Sequence, residues 1–440
     1  MRAATPDARV ATAERVSGRR AQAATVGAVA VLVAATAIWG GILDRHDDGI
    51  GLHAAPLFAA ASNRLGPLVA VPLTIAALVV WRGPALAELL GWRHLVAAAM
   101  LAAAAWGVGL ALVDHGITEG LVRGATSPHD LLADASRITA PGEFLSTFVD
   151  RIGDYVVHVR GHPPGLVVAL SMLGRVGLGG VAGFVTLAIV AGAAVVGAVL
   201  VAVREVAGEA AARKAAPFLV LSPAAIWLVT SADAVYAGLA AIGIAASVVA
   251  TGRAGRRSDL LAAVGGLVLG AGLFSSYGLV LVLLVPFAVG VLRRRVRPLV
   301  ISGLLMVVVG VGFAAAGFSW IDGLWATRAE YAGSIAAVRP YGYFVFANLA
   351  AFAIVLGPAP VAGIATLRER RMWLLVGAAL VAVAAADLSG LSKGEVERIW
   401  LPFWPWIAIA AAAITSRVRW WLAAQATLAI GVQTFLGTPW

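Results

Sequence analysis

The chain has 440 residues, of which 61% are hydrophobic and only 13% charged, with no cysteine and a formal net charge of +10. Soluble domains are about 45–50% apolar and about 25% charged, so the composition excludes a soluble globular enzyme and a disordered chain. An outer-membrane barrel is excluded because its strands would alternate apolar and polar residues; disulfides, thiolate metal sites and a cysteine nucleophile are excluded with the cysteines.

What remains is an all-α fold, a polytopic integral membrane helix bundle. A spanning helix needs about 20 apolar residues. Such runs lie near 24–42, 66–82, 94–113, 181–203, 214–230, 234–251, 260–274, 277–292, 297–317, 343–366, 371–387, 401–415 and 419–435, which predicts about 13 spans. Residues 1–23 form a basic tail, and the apolar run after them is long for a cleaved signal segment, so an uncleaved first span is expected. Placing the N-terminus inside puts 22 of the 33 Lys and Arg residues on inside segments, as the positive-inside rule asks. The positive charge is thus topological, and no nucleic-acid partner is needed to explain it. Residues 162–176 are apolar, but a crossing there would flip every later loop. They are therefore expected to form an outer juxtamembrane helix, with Pro163 and Pro164 in its first turn and Gly177, Gly179 and Gly180 at its end.

The predicted organisation is a cytoplasmic tail (1–23), three spans (24–113) with an outer loop at 43–65, a large outer loop with surface helices (114–180), and a remaining bundle (181–440) with outer loops at 318–342 and 388–400. Segments 129–138 and 143–159 of the large loop are compatible with helices; Phe144, Phe148, Ile152 and Tyr155 recur at helical spacing in the second. The tryptophans at 400, 404, 406, 420 and 421 fit an interfacial belt.

The polar chemistry sits in those outer loops. Six of the seven histidines face outward and only His94 faces in. The spans carry almost no ionisable groups in their middles, with Asp233 and Asp387 near predicted ends, which argues against an ion-driven carrier. Inside loops are short and basic and hold no phosphate-cradling glycine motif, which disfavours chemistry driven by a cytosolic nucleotide. An acid-bearing cap over an apolar bundle suits a substrate with a lipid tail and a polar head.

Three stretches carry a family resemblance. They are Arg160-Gly161-His162-Pro163-Pro164-Gly165, then Ser222-Pro223-Ala224-Ala225-Ile226-Trp227 with Ser231-Ala232-Asp233, and Gly394-Glu395-Val396-Glu397-Arg398-Ile399-Trp400-Leu401-Pro402. Together they resemble the GT-C superfamily of membrane glycosyltransferases, most closely an actinobacterial integral membrane branch, over residues 95–405. The resemblance implies a polyprenyl-phosphate sugar donor and a glycan, lipid or protein acceptor. It implies an active site facing the extracytoplasmic side of the plasma membrane, and an acid at the start of the first large outer loop that acts as base on the acceptor hydroxyl. Asp114 is the matching position. The chain departs from the pattern in two extra preceding spans and in having no paired acid at Asp114, the nearest being Glu119.

The residues allow the same chemistry. Transfer from a lipid phosphate needs a carboxylate to take a proton and a cation on the leaving phosphate, for which Arg is suited. Asp114 is the expected base. Arg160, His162, Asp233, Arg339, Tyr341, Glu395 and Arg398 are expected at the substrate, although Asp233 also fits a helix N-cap. Asp44, Asp47 and Asp48 with His46 are weak candidates for a divalent cation and otherwise read as an acidic outer loop. The alternatives are a transporter or flippase of lipid-linked sugar, or a non-catalytic membrane scaffold of the same fold.

Overall fold

The computed structural model of the chain describes residues 6–45 and 50–439. Their secondary structure is nearly all helical, apart from a two-residue strand, Ala60–Ala61, paired antiparallel with Leu436–Gly437. The chain is a multi-pass membrane protein. Among the described residues, seven continuous helices are long and apolar enough to cross a membrane: Val16–Arg45, Pro67–Leu89, Trp92–Ala111, Gly180–Ala207, Asp233–Thr251, Val296–Ala315 and Arg370–Leu388. Each falls on an expected run.

The other runs show why thirteen full spans do not appear. The run at 343–366 is two helices, Tyr341–Leu356 and Pro358–Ile364, bent by 104° at Gly357 and able to count as one broken span. That at 214–230 ends as the helix Glu209–Val220 and gives way to a tight turn beginning at Pro223. The helix Gly255–Leu273 opens on Arg256, Arg257 and Asp259, too charged for a full crossing. The 277–292 run begins as a 3-10 stretch, Tyr277–Leu283, before the helix Leu284–Leu292. The 401–415 run is split into Trp404–Ala408 and Ile409–Ala413. The last, Val418–Phe435, has 18 residues, or about 27 Å of helix. The 162–176 segment forms the 11-residue helix Gly165–Arg175, about 17 Å long and too short to span.

The expected long surface helix at 143–159 is also broken. Pro141–Thr147 is helical, followed by short turns at Ile152–Asp154 and Val157–Arg160. Its aromatic residues fold onto each other: Phe148 stacks on Tyr155 with centroids 5.4 Å apart, and Phe144 meets both edge-on. Trp400, Trp404 and Trp406 are fully buried, which corrects their placing in an interfacial belt; Trp420 is exposed.

The polar segments gather at two ends of the bundle. At one end the segments 50–65, 114–161, 318–342 and 388–400 are tied together. Arg160 Nη1 pairs with Glu330 Oε2 at 2.9 Å, Arg339 Nε donates to the Ile50 carbonyl at 3.0 Å, and the Phe58 N–H donates to Glu397 Oε1 at 2.9 Å. At the other end, Arg253 and Arg293 share Glu205, Arg213 pairs with Glu209 and donates to the Leu90 carbonyl, and Arg204 lies 4.5 Å over the Trp92 ring. The helix Asp233–Thr251 joins the two ends, with Asp233 in the first group and Thr251 bonded to Arg293 in the second.

The break at Gly357 shows how an apolar bundle tolerates a non-helical backbone. Gly357 has φ 77°, where a side chain is disfavoured, and an added Cβ would lie 2.5 Å from Gln425 Oε1. Gln425, fully buried, donates from Nε2 to the Leu356 carbonyl at 2.7 Å and accepts from the Ala359 N–H at 3.1 Å. One side chain thus satisfies the donor and the acceptor that the bend frees, as the absence of water demands. Gln425→Leu is expected to lower stability by about 1–3 kcal/mol, seen as an earlier thermal unfolding of the detergent-solubilised protein. Gln425→Glu, which keeps the acceptor alone, is expected to recover only part of the loss.

Candidate functional site

The strongest concentration of chemistry is a buried ionic group at the rim of the bundle. Arg398 lies on the short helix Val396–Ile399 and its side chain is only 7% exposed. Its Nη1 donates to Asp233 Oδ2 at 2.8 Å and its Nη2 to Glu395 Oε2 at 2.6 Å. Burial alone would lower the pKa of this guanidinium, but the two carboxylates outweigh burial and raise it. Asp233 opens its helix with Ala232 at the capping position and no capping bond, so the expected N-cap role is replaced by the pair with Arg398.

His158 extends the group. Its Nδ1 lies 3.4 Å from Asp130 Oδ2, and its Nε2 lies 3.5 Å from Arg398 Nη2. A guanidinium only donates, so this arrangement suits an imidazole that carries its proton on Nδ1, toward Asp130, and accepts at Nε2. Asp130 is held in place by its own backbone role, capping the helix Leu131–Ala135 through the Leu131 N–H at 2.7 Å.

His162 stacks on Tyr236 with centroids 5.0 Å apart, and its Nδ1 donates to the His158 carbonyl at 2.8 Å. Burial lowers the His162 pKa despite the nearby Asp233 carboxylate, which favours the neutral ring. The prolines after it turn the chain so that the Gly165 N–H reaches the Phe274 carbonyl at 2.7 Å; a Cβ at Gly165 would lie 2.2 Å from that oxygen, so glycine is required there. Tyr236 is buried and its hydroxyl has no hydrogen-bond partner among the described residues; the same holds for Glu397 Oε2. Burial pushes the Glu397 carboxyl up to about 7.

Glu395 is in the left-handed region at φ 60°, directly after Gly394 at φ 94°. A non-glycine residue there costs about 1–2 kcal/mol. The surroundings hold it: Gly394 N–H donates to Asn348 Oδ1 at 3.1 Å, while Asn348 Nδ2 donates to the Ser392 carbonyl at 2.7 Å. The Glu395 side chain stays 24% exposed, more than those of Asp233 or Arg398.

Asp114 belongs to a different group. Its Oδ1 meets Arg64 Nε at 2.7 Å and its Oδ2 lies 3.6 Å from Arg123 Nη1. Arg64 Nη1 in turn donates to the carbonyls of Gln433 and Leu436 at 3.3 and 3.1 Å. Both carboxylate oxygens of Asp114 therefore face guanidiniums, and the pair with Arg64 is buried. The group joins the 50–65 segment, the end of Trp92–Ala111 and the C-terminal segment.

The remaining candidates divide by exposure. Arg160 and its partner Glu330 are each 35% exposed, so the Arg160 head stays reachable. Arg339 is buried, and burial lowers its pKa; it donates to the carbonyls of Ile50 and Lys393, which makes it a clasp between loops. Tyr341 is exposed and its hydroxyl donates to the Leu388 carbonyl at 3.1 Å. Asp44 lies 3.5 Å from His53 Nδ1, while His46, Asp47 and Asp48 fall outside the described residues. Among the described residues no group of three His, Asp or Glu side chains is placed to hold a metal ion. Sequence reasoning did not name Asp130, His158 or Tyr236 as site residues, and it quoted Glu397 in a motif without assigning it to the site. The four-residue spacing of His158 and His162 ahead of two prolines was a signal for His158.

No protein-family model and no curated protein matches the chain. Among solved structures, the chain is similar to the oligosaccharyltransferase of Archaeoglobus fulgidus, determined in complex with Zn and sulfate. The identity is 16% and the TM-score 0.43, over 70% of this chain and 54% of that one. The chain thus spans about half the length of the protein it matches, and a likeness of this size says nothing about activity.

Two outcomes follow from the electrostatics. Removing one partner of a buried ion pair costs about 3–5 kcal/mol, whereas apolar replacement of both is close to neutral. Arg64→Met is therefore expected to destabilise by about that amount in thermal unfolding, and Arg64→Met with Asp114→Leu to regain most of it. For Glu397, the folded chain holds its proton up to about pH 7 while the unfolded chain releases it from about 4.5. The folded state binds more protons between those values, so its stability falls as pH rises from 4.5 to 7. Unfolding temperatures measured across that range are expected to show the fall in the wild type and a flatter line in Glu397→Gln.

Proposed function

We propose that the chain is a membrane glycosyltransferase that moves a sugar from a polyprenyl-phosphate donor to an acceptor hydroxyl on the extracytoplasmic side of the plasma membrane. The observation that carries the reading is the buried group of Asp130, His158, Asp233, Glu395 and Arg398 at the rim of an apolar bundle. Ionisable groups in such a place are costly to bury, and their usual reason is function. Asp233, Glu395 and Arg398 of this group come from two of the three stretches that resemble the GT-C superfamily, and His162 of the remaining stretch stacks on Tyr236 beside it. The positive-inside pattern supports placing this end of the bundle outside, since the opposite end gathers the arginines at 204, 213, 253 and 293.

In this reading the acceptor oxygen attacks the anomeric carbon as the bond from that carbon to the phosphate oxygen breaks, with the electron pair leaving on the polyprenyl phosphate. The acceptor proton passes to a carboxylate. We assign that role to Glu395, the most exposed acid of the group, held in a left-handed conformation and paired with Arg398. Arg160 is the cation for the leaving phosphate, because its head is reachable, whereas Arg398 already has a carboxylate on each Nη. Asp114, expected from its position as the base, is assigned a holding role by its two arginine neighbours. His162 and Tyr236 shape the wall beside Asp233.

The test is transfer of label from radiolabelled polyprenyl-phosphate sugars to an envelope extract by the purified protein in lipid. Glu395→Gln is expected to lower turnover by about 10²–10⁴-fold at unchanged unfolding temperature. Arg160→Ala is expected mainly to raise the KM for the donor. Full activity in Glu395→Gln with loss confined to a well-folded Asp114→Asn would return the base to Asp114. Wild-type protein that binds these donors and carries them across the bilayer without transfer would establish the flippase reading instead.

A further inference from the structure

A second polar hollow lies in the 114–161 segment, apart from the buried ionic group. It is an open cleft of about 310 Å³ between Leu131–Ala135, Pro141–Thr147 and the turn at Ile152–Asp154. That volume is at the small end of the range of about 300–1,000 Å³ typical of small-molecule sites. The hydroxyls of Thr139 and Thr147 and the ring of Tyr155 line it, as does Phe144. Two ion pairs flank it. Arg151 Nε meets Asp154 Oδ2 at 3.2 Å, and Arg137 Nη1 meets Asp134 Oδ1 at 3.4 Å.

The chemistry of the walls selects a class of ligand. Three carboxylates (Asp134, Glu143, Asp154) stand against two guanidiniums (Arg137, Arg151), so the cleft offers no excess of positive charge to a phosphate or an acidic lipid. It does offer both donors and acceptors in planar forks, with an aromatic floor rigidified by the stack of Tyr155 on Phe148. A neutral polyhydroxylated ring uses such walls well, because adjacent hydroxyls each donate and accept, and the ring's C–H face lies against an aromatic side chain. The exposed pair of Arg151 with Asp154 is weak and rearranges at little cost, and the Arg137 head is exposed as well.

The cleft is also coupled to the buried group by covalent geometry. Asp130 and Asp134 lie one turn apart on a single short helix; Asp130 faces His158, whereas Asp134 lines the cleft and accepts from the Val156 N–H at 2.8 Å. The segment 154–160 therefore forms a wall of the cleft at one end and, at the other, delivers His158 to the buried group and Arg160 to Glu330.

We infer that this cleft binds a neutral oligosaccharide, the non-reacting part of a glycan acceptor, while the acceptor's terminal hydroxyl reaches the buried ionic group. The acceptor role rests on the glycosyltransferase reading; the binding of neutral sugar does not. The experiment is equilibrium dialysis of the full chain in lipid nanodiscs against radiolabelled neutral hexose and pentose oligosaccharides of two to four units, beside carboxylated and phosphorylated counterparts. At least one neutral member is expected to bind saturably. Arg151→Ala and Tyr155→Ala are expected to weaken it about tenfold each, the loss of one good contact, with unfolding temperature unchanged for Arg151→Ala. Arg253→Ala, in the group at the opposite end of the bundle, is expected to leave binding as it is. No saturable binding by any neutral member, preference for an acidic counterpart, or binding indifferent to Arg151→Ala and Tyr155→Ala overturns the inference. Binding that follows these variants in a protein that transfers nothing keeps the cleft and removes the glycosyltransferase reading. Transfer with a KM for acceptor indifferent to both variants keeps the enzyme and removes the cleft.

Discussion

A guanidinium almost wholly withdrawn from water must be neutralised where it stands, and Arg398 is neutralised by two carboxylates that reach it from different parts of the chain. Asp233 comes from the start of a bundle helix, 165 positions away, and Glu395 from the turn just before. The two contacts tie the 388–400 segment to the start of the Asp233–Thr251 helix. His158 and Asp130 add a third region to the same contact. The loop end of the bundle is thereby built around one ionic group, and the apolar helices beneath it supply orientation.

That end is held by two further fastenings of the same kind. Arg64 fixes Asp114 and the C-terminal carbonyls, and Arg339 fixes the Ile50 and Lys393 carbonyls. In each, an arginine fork satisfies several acceptors from separate segments. The division among the three is chemical. Arg339 donates to two backbone carbonyls, groups that cannot accept a proton near neutral pH, and Arg64 joins two such carbonyls to the single carboxylate of Asp114. Arg398 faces two carboxylates and an imidazole, groups that can accept a proton. Of the three clasps, the last gathers the most side chains able to take a proton.

Much of the bundle was legible in the sequence because a bilayer allows little choice: runs such as 297–317 and 371–387 are apolar throughout, and their helices end within a few residues of the expected limits. The broken elements were less legible. Gly357 looks like any of the small residues common in membrane helices; what makes it a bend is Gln425, 68 residues later, which supplies the two hydrogen bonds a continuous helix would have made itself. The run at 401–415 reads as a span by hydropathy, yet it splits in two and buries its tryptophans in the core. Loop residues follow the same logic. Arg398 and Asp233 stood out by type and position, but which arginine meets which acid depends on how separate loops dock, and no periodicity encodes that. Thus the residue types of the site were legible while their pairing was not.

Asp114 and Glu395 illustrate what pairing decides. Both are acids at the edge of apolar elements, and both touch arginine. Asp114 is 6% exposed with a guanidinium near each oxygen, so a proton arriving there would have to displace an ion pair whose loss leaves Arg64 charged and buried. Glu395 shares Arg398 with Asp233, so when it takes a proton the guanidinium keeps one carboxylate partner and stays neutralised. Arg398 thus has a second carboxylate beside it, whereas Arg64 is paired with Asp114 and two backbone carbonyls. That redundancy, rather than position at the start of a loop, marks the acid of this group best placed to change its charge during a reaction.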